Sequence, residues 1–130
     1  MTVGLVISAP ASGVGKTTLT LALARAWRNR GLRVQCLKSG PDYIDPAFHA
    51  VATGRPSVNL DSWAMASDAI VHLASRGADA DLVLAEVALA LGGLDRHPGP
   101  VHGVADLAQQ RLDALRTQDV VVHVVLIRGH

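Results

Sequence analysis

The sequence has a single cysteine, Cys36, among its 130 residues. That excludes an internal disulfide, and with no CxxC and no Cys/His spacing it excludes a thiolate metal site. The setting Val34-Gln35-Cys36-Leu37 reads as a buried strand thiol. Charge is also scarce and balanced. Lys and Arg number 12, Asp and Glu 11, and the formal net charge is +1. Such a balance gives no electrostatic pull toward nucleic acid or an anionic membrane, so neither is expected as a partner. No apolar run approaches the ~20 residues that cross a bilayer. Met1-Thr2-Val3-Gly4 lacks the basic start of a secretory leader, and a cytoplasmic, reducing location is the expectation. Internal repeats and low-complexity tracts are absent. What is abundant is apolar material, 49% of residues, enough for a packed core and too much for a disordered chain. One domain is expected at this length.

Leu5-Val6-Ile7-Ser8-Ala9 is apolar without alternation, as suits a strand buried on both faces. A loop from Pro10 to Gly15 follows. Leu19, Ala22, Leu23, Ala26 and Trp27 then recur at helical spacing. Arg25, Arg28 and Arg30 gather toward that helix's end, and Gly31 suits its C-cap. Residues 33–38 predict a second strand. Asp45-Pro46 reads as an N-cap followed by Pro at the first helical position, opening a short helix through Ala52 that stops at Gly54. Ser67 reads as the cap of another helix with Ile70, Val71, Leu73 and Ala74 as its apolar stripe, and residues 81–86 predict a third strand ending in a carboxylate. Further on, Gly92-Gly93 and Pro98-Gly99-Pro100 act as breakers. Val104, Leu107, Ala108, Leu112 and Leu115 predict a helix, and the β-branched run 120–127 predicts a strand.

The chemistry starts at Ser12-Gly13-Val14-Gly15-Lys16-Thr17-Thr18. Between a strand and a helix, Gly13 and Gly15 let successive backbone N–H groups turn inward around a phosphate. Lys16 adds a charge for the β- and γ-phosphates, Thr17 a hydroxyl for Mg2+, and the helix N-terminus its dipole. The common pattern has Gly where this chain has Pro10, so this is a variant P-loop. The expected ligands of the loop are a nucleoside triphosphate and Mg2+. The fold class is α/β: a P-loop NTPase-like domain, with a mostly parallel sheet flanked by helices. Asp42 and Asp45 leave the C-terminal end of strand two, the edge of an open α/β sheet where ligands bind. Carboxylates there can hold Mg2+ or position a substrate. The plainer readings are a turn residue for Asp42 and the helix cap for Asp45. Glu86 is a metal-side carboxylate or a polar strand end. His49 and Tyr43 lie nearby, and each reads at least as well as a solvated or packed side chain as it does as a site residue.

Residues 9–18 (Ala-Pro-Ala-Ser-Gly-Val-Gly-Lys-Thr-Thr), the unusual segment Lys38-Ser39-Gly40-Pro41-Asp42-Tyr43-Ile44-Asp45-Pro46 through His49, and residues 52–61 carry a resemblance. Over about residues 3 to 86 the chain resembles the N-terminal region of cobyrinic (or hydrogenobyrinic) acid a,c-diamide synthases. The resemblance implies an ATP-dependent amidoligase of cobalamin biosynthesis. Such enzymes amidate two corrin-ring carboxylates through an acyl phosphate that ammonia, drawn from glutamine, then attacks. It places residues 12–18 on ATP, with Lys16 at the phosphates. It implies catalytic roles for Asp42 and Asp45 in positioning metal or substrate carboxylate, and a metal set of Thr17, Asp42 and Glu86. After Glu86 that family continues with Gly and an aromatic-Asp-Gly turn, where this chain has Val87-Ala88-Leu89-Ala90-Leu91-Gly92-Gly93. The family also carries a C-terminal glutamine amidotransferase domain, and Cys36 does not sit as its nucleophile. By this resemblance the chain, residues 1–130, is expected to be an incomplete P-loop nucleotide-binding domain, from a truncated or frameshifted gene product or a fragment, unable to use glutamine alone. It is also expected to self-associate, as a homodimer or larger, through the exposed edge of the 120–127 strand. Two other readings share the Gly-Val-Gly-Lys-Thr loop. Dethiobiotin synthetase is disfavoured by the Gly-Pro-Asp-Tyr-Ile-Asp-Pro segment. Partition or septum-site ATPases usually carry a second lysine where this chain has Ala11.

Overall fold

The computed structural model describes residues 2–9, 12–61, 64–87 and 121–127. Pro10, Ala11 and the helix and breakers read between residues 88 and 120 lie outside them. β1 (Thr2–Ser8), β2 (Val34–Ser39), β3 (Val58–Leu60) and β4 (Leu82–Val87) are parallel, in the order β3-β2-β4-β1. β5 (Val121–Ile127) lies antiparallel beyond β1. The α/β, mostly parallel sheet expected from the sequence is therefore present. Leu5, Val6 and Ile7 are all buried, which is why β1 shows no alternation: helices cover both faces of a parallel sheet. β3 is an addition, since three residues inside a Gly- and Pro-rich stretch are too few for a period to show.

α1 (Lys16–Asn29) and α2 (Asp45–Thr53) cover one face. There Ala24 and Ala52 pack with Leu5, Ile7, Val34, Cys36, Leu82 and Leu84, and Leu23 and Trp27 flank them. α3 (Ser67–Ala74) covers the other face, where Leu73 packs against Leu37, Val58, Ala80 and Val83. Trp27 is thus a core anchor, as expected. The innermost line of α1 differs from the apolar stripe. Thr20 and Ala24 are fully buried while Ala22 and Ala26 are exposed. Small side chains at 20 and 24 let the helix lie close to the sheet, and the Thr20 hydroxyl is satisfied by the Lys16 carbonyl at 2.9 Å. Cys36 is fully buried, and burial, with the nearby Glu86 charge, pushes its thiol up to about 12. Its inert strand reading holds.

Helix ends explain three local features. Gly31, at φ +87, donates to the Arg28 carbonyl, and Leu32 donates to that of Trp27. This is a Schellman closure that uses glycine's freedom one residue past the Arg30 cap. Ala66 rather than Ser67 precedes α3. Asp45 is the first residue of α2, after Ile44, so it does not cap the helix with its side chain. The far end of α2 is closed by Gly54 at φ +73 and by Arg28, whose guanidinium reaches the carbonyls of Val51 and Ala52. A Cβ on Gly54 would lie 2.8 Å from that guanidinium. Gly54→Ala is therefore expected to cost about 1–2 kcal/mol of left-handed strain and to displace Arg28. Urea unfolding would read this as a lower midpoint with an unchanged slope.

The register fixes what the sheet presents at its C-terminal edge. Ile7 pairs with Glu86, and Glu86 with Lys38. Lys38 and Glu86 are therefore cross-strand neighbours on one face, one pleat period beyond the core pair Cys36 and Leu84.

Candidate functional site

The loop after β1 has Gly13 at φ +76 and Gly15 at φ +98. Space for a Cβ is open at both, so the requirement is conformational. The turn delivers Lys16 and Thr17 as the first residues of α1, with the Leu19 amide bonded back to Gly15. A cleft of about 390 Å³ opens here. Ser12, Gly13, Gly15, Lys16, Thr17 and Thr18 form one wall, and Lys38, Asp42, Asp45 and Glu86 the other. Of the loop residues singled out from the sequence, Val14 is not in the lining.

Side chains from four elements, α1, β2, α2 and β4, meet at the end of the loop. The Thr17 hydroxyl lies 2.7 Å from Glu86 Oε1 and 3.0 Å from Asp45 Oδ2. Lys38 Nζ bridges the same two oxygens, at 2.8 Å and 2.5 Å. Asp42 stands further off, with Oδ2 3.6 Å from Lys38 Nζ. Its Oδ1 accepts from the backbone N–H groups of Ile44 and Asp45 at 2.9 and 3.1 Å. Asp42 thus takes the tie at the start of α2 expected of Asp45, and Asp45 points its carboxylate into the cluster. Thr17, Asp45 and Glu86 are brought together, and Asp42 sits at the rim.

Electrostatics follow from this geometry. Glu86 is fully buried. Burial pushes its carboxyl up, but hydrogen bonds from His49, Lys38 and Thr17 outweigh that and hold it at about 2. Lys38 is also buried, which disfavours its charge, yet hydrogen bonds to Asp45 and Glu86 raise its pKa. Lys16 is pushed down, first by burial and further by the nearby Lys38 charge, against the pull of Glu86 and Asp45. Lys38 is balanced by Asp45 and Glu86, so its charge adds little pull on a polyanion entering the cleft.

Lys38 and His49 are the residues that sequence reading left without a role. His49 is fully buried, its Nε2 3.0 Å from Glu86 Oε2. Its signal was present: it lies four residues after Asp45, on the same side of α2. Tyr43 is 84% exposed and reads as solvated.

The donor set suits a hard divalent cation. Two carboxylate oxygens, from Asp45 and Glu86, accept from both the Lys38 ammonium and the Thr17 hydroxyl, so the place already attracts positive charge. Among the described residues no three His, Cys, Asp or Glu side chains form a metal cage of their own. Mg2+ does not need one, since it takes one or two carboxylates and completes its shell from phosphate oxygens and water.

Residues 5–126 match the model of the CobQ/CobB/MinD/ParA nucleotide binding domain. The chain belongs to that nucleotide-binding family. Within it, the chain is 60% identical over 96 residues to a hydrogenobyrinate a,c-diamide synthase of Rhodobacter capsulatus, a match covering 74% of this chain and 22% of that protein. A protein of the same name from Agrobacterium fabrum is 48% identical over 119 residues, 89% of this chain and 27% of its own length. One from Mesorhizobium japonicum is 50% identical over 107 residues, 81% of this chain and 24% of its own. The chain thus spans roughly a quarter of the length of the curated relatives it matches. Among the described residues no helix is long and apolar enough to cross a membrane.

Proposed function

We propose that this chain supplies the ATP-binding part of a hydrogenobyrinate a,c-diamide synthase. In that reaction the a and c side-chain carboxylates of hydrogenobyrinic (or cobyrinic) acid are phosphorylated by ATP and the acyl phosphates are amidated by ammonia. The observation that carries the reading is the convergence of Thr17, Asp45, Glu86 and Lys38 at the end of the phosphate loop. Family membership alone does not choose between a ligase and an ATPase switch, because the family spans both kinds; the names of the relatives at 48–60% identity favour the ligase.

In this reading the backbone of residues 12–18 wraps the phosphates, with Lys16 against the β- and γ-phosphates. Thr17, Asp45 and Glu86 would hold Mg2+, which supplies charge neutralisation on the transferring phosphoryl group. Lys38 lies beside those oxygens, placed to balance charge that develops as the phosphoryl group moves. Asp42 shapes the start of α2 and so aims Asp45. Residues 1–130 act as a partial nucleotide-binding domain, and ammonia comes from a glutamine amidotransferase domain outside this sequence. A cytoplasmic location suits the reduced thiol of Cys36. In the described order β3 and β5 are the outer strands, and a homodimer formed at such an edge is the simplest self-association.

The test is a chimera in which residues 3–86 of this chain replace the matching segment of the Rhodobacter capsulatus relative. Glutamine-dependent amidation of hydrogenobyrinic acid is expected. A folded chimera that binds ATP but amidates nothing would contradict the proposal. In the same chimera, Asp45→Asn is expected to lower turnover about 100-fold, as loss of a metal-side carboxylate does. Asp42→Asn should lower it less than about tenfold, because an Asn oxygen still accepts the two backbone N–H bonds. Equal losses in both variants would refute the division of labour.

A further inference from the structure

His49 is not among the residues that line the cleft, yet it is fully buried and bonded to the centre of the cluster. Its Nε2 faces Glu86 Oε2 at 3.0 Å, and because an ionised carboxylate only accepts, Nε2 carries the proton. Its Nδ1 then accepts, and the Ser57 hydroxyl, 3.4 Å from it and 3.1 Å from the Cys36 carbonyl, has one proton to share between the two acceptors. The ring is thus held between α2 and the β2 backbone. The two oxygens of Glu86 are thereby divided. Oε2 is committed to His49, and Oε1 alone faces Thr17 and Lys38.

We propose that His49 is a positioning residue that makes Glu86 a one-oxygen ligand and so selects Mg2+ over Ca2+. The inference rests on the ATP·Mg2+ reading of the site and adds a source of cation specificity to it. Mg2+ demands near-octahedral geometry and takes single carboxylate oxygens. Ca2+ takes more ligands at longer distance and commonly uses both oxygens of one carboxylate. To offer both, Glu86 must rotate Oε2 away from His49, breaking a buried hydrogen bond and leaving the imidazole N–H unpaired, which is costly in a site closed to water.

The experiment measures ATP binding by this chain at matched Mg2+ and Ca2+ concentrations, and takes the ratio of the two affinity gains over EDTA. Asn at position 49 is too short to reach Oε2, whereas Gln places an amide N–H near the position of Nε2. His49→Asn is expected to lower the Mg2+/Ca2+ ratio about tenfold, as loss of an outer partner of a metal ligand does, while His49→Gln stays within about twofold of the parent. A merely structural role would move both affinities together and leave the ratio unchanged. An unchanged ratio in His49→Asn, or an equal fall in His49→Gln, would overturn the inference while leaving the nucleotide reading intact. A parent chain whose ATP binding ignores both cations would overturn that reading itself. If the position-49 variants fail to fold, Ser57→Ala decides: a lower ratio supports the inference, and the parental ratio overturns it.

Discussion

Lys16→Ala is expected to weaken ATP binding by about 100-fold or more, from loss of charge-assisted contacts worth about 1.5–3 kcal/mol each. The lysine is the first residue of α1, held at the mouth of the cleft by the two left-handed glycines before it. Burial lowers its pKa and the neighbouring Lys38 lowers it further. That charge is held at a cost in the ligand-free chain, and the cost falls when a polyanion enters. Removing it therefore takes away both a direct contact and part of what makes the cleft attract phosphate. Calorimetric titration with ATP reads the loss, and circular dichroism of the variant confirms that it is folded. A folded Lys16→Ala chain with parental affinity would mean that this loop does not bind the nucleotide.

The second large effect belongs to Glu86. Glu86→Gln is expected to destabilise the chain by about 3 kcal/mol, the lower end for removing one partner of a buried ion pair. The replacement conserves shape, so no cavity contributes. What changes is that Lys38, itself 4% exposed, is left with Asp45 as its close anionic partner. The pH dependence separates this from a packing effect. Glu86 is held at about 2 in the fold against an ordinary value of 4.5. Its contribution to stability is therefore complete above about pH 4.5 and lost as the pH falls toward 2. Without divalent cation, parent and variant should differ most above pH 4.5, and their urea midpoints should converge below it. Parallel curves across that window would contradict the ion-pair account.

Much of this was legible in the sequence, for reasons that differ by element. The β1 run, the glycines of the loop, Lys16 and Thr17 announce themselves because their chemistry lies in consecutive residues. Asp42, Asp45 and Glu86 stood out as carboxylates at strand ends. Which aspartate enters the cluster was not legible, because it depends on whether α2 starts at Asp45 or one residue later. Starting at Asp45 hands the backbone amides to Asp42 and frees the Asp45 carboxylate. Lys38 was hidden more deeply. It looks like the polar end of an apolar strand, and its partner Glu86 is 48 residues away, adjacent only through the β2–β4 register. His49 depends on that same register, since its bond to Glu86 requires α2 to lie on the face where the Lys38–Glu86 pair points. Long-range pairing of strands carries no local signal, and so the centre of the site was the part that only the fold could assemble.

One titration tests the central claim, that the loop and the carboxylate cluster form a single ATP·Mg2+ site. The purified chain is titrated with ATP by calorimetry, first in EDTA and then in Mg2+. Saturable binding in EDTA that tightens by at least about tenfold when Mg2+ is added is the predicted result, in line with the affinity a metal ligand set contributes. No binding in either condition, or binding that Mg2+ leaves unchanged, would contradict it.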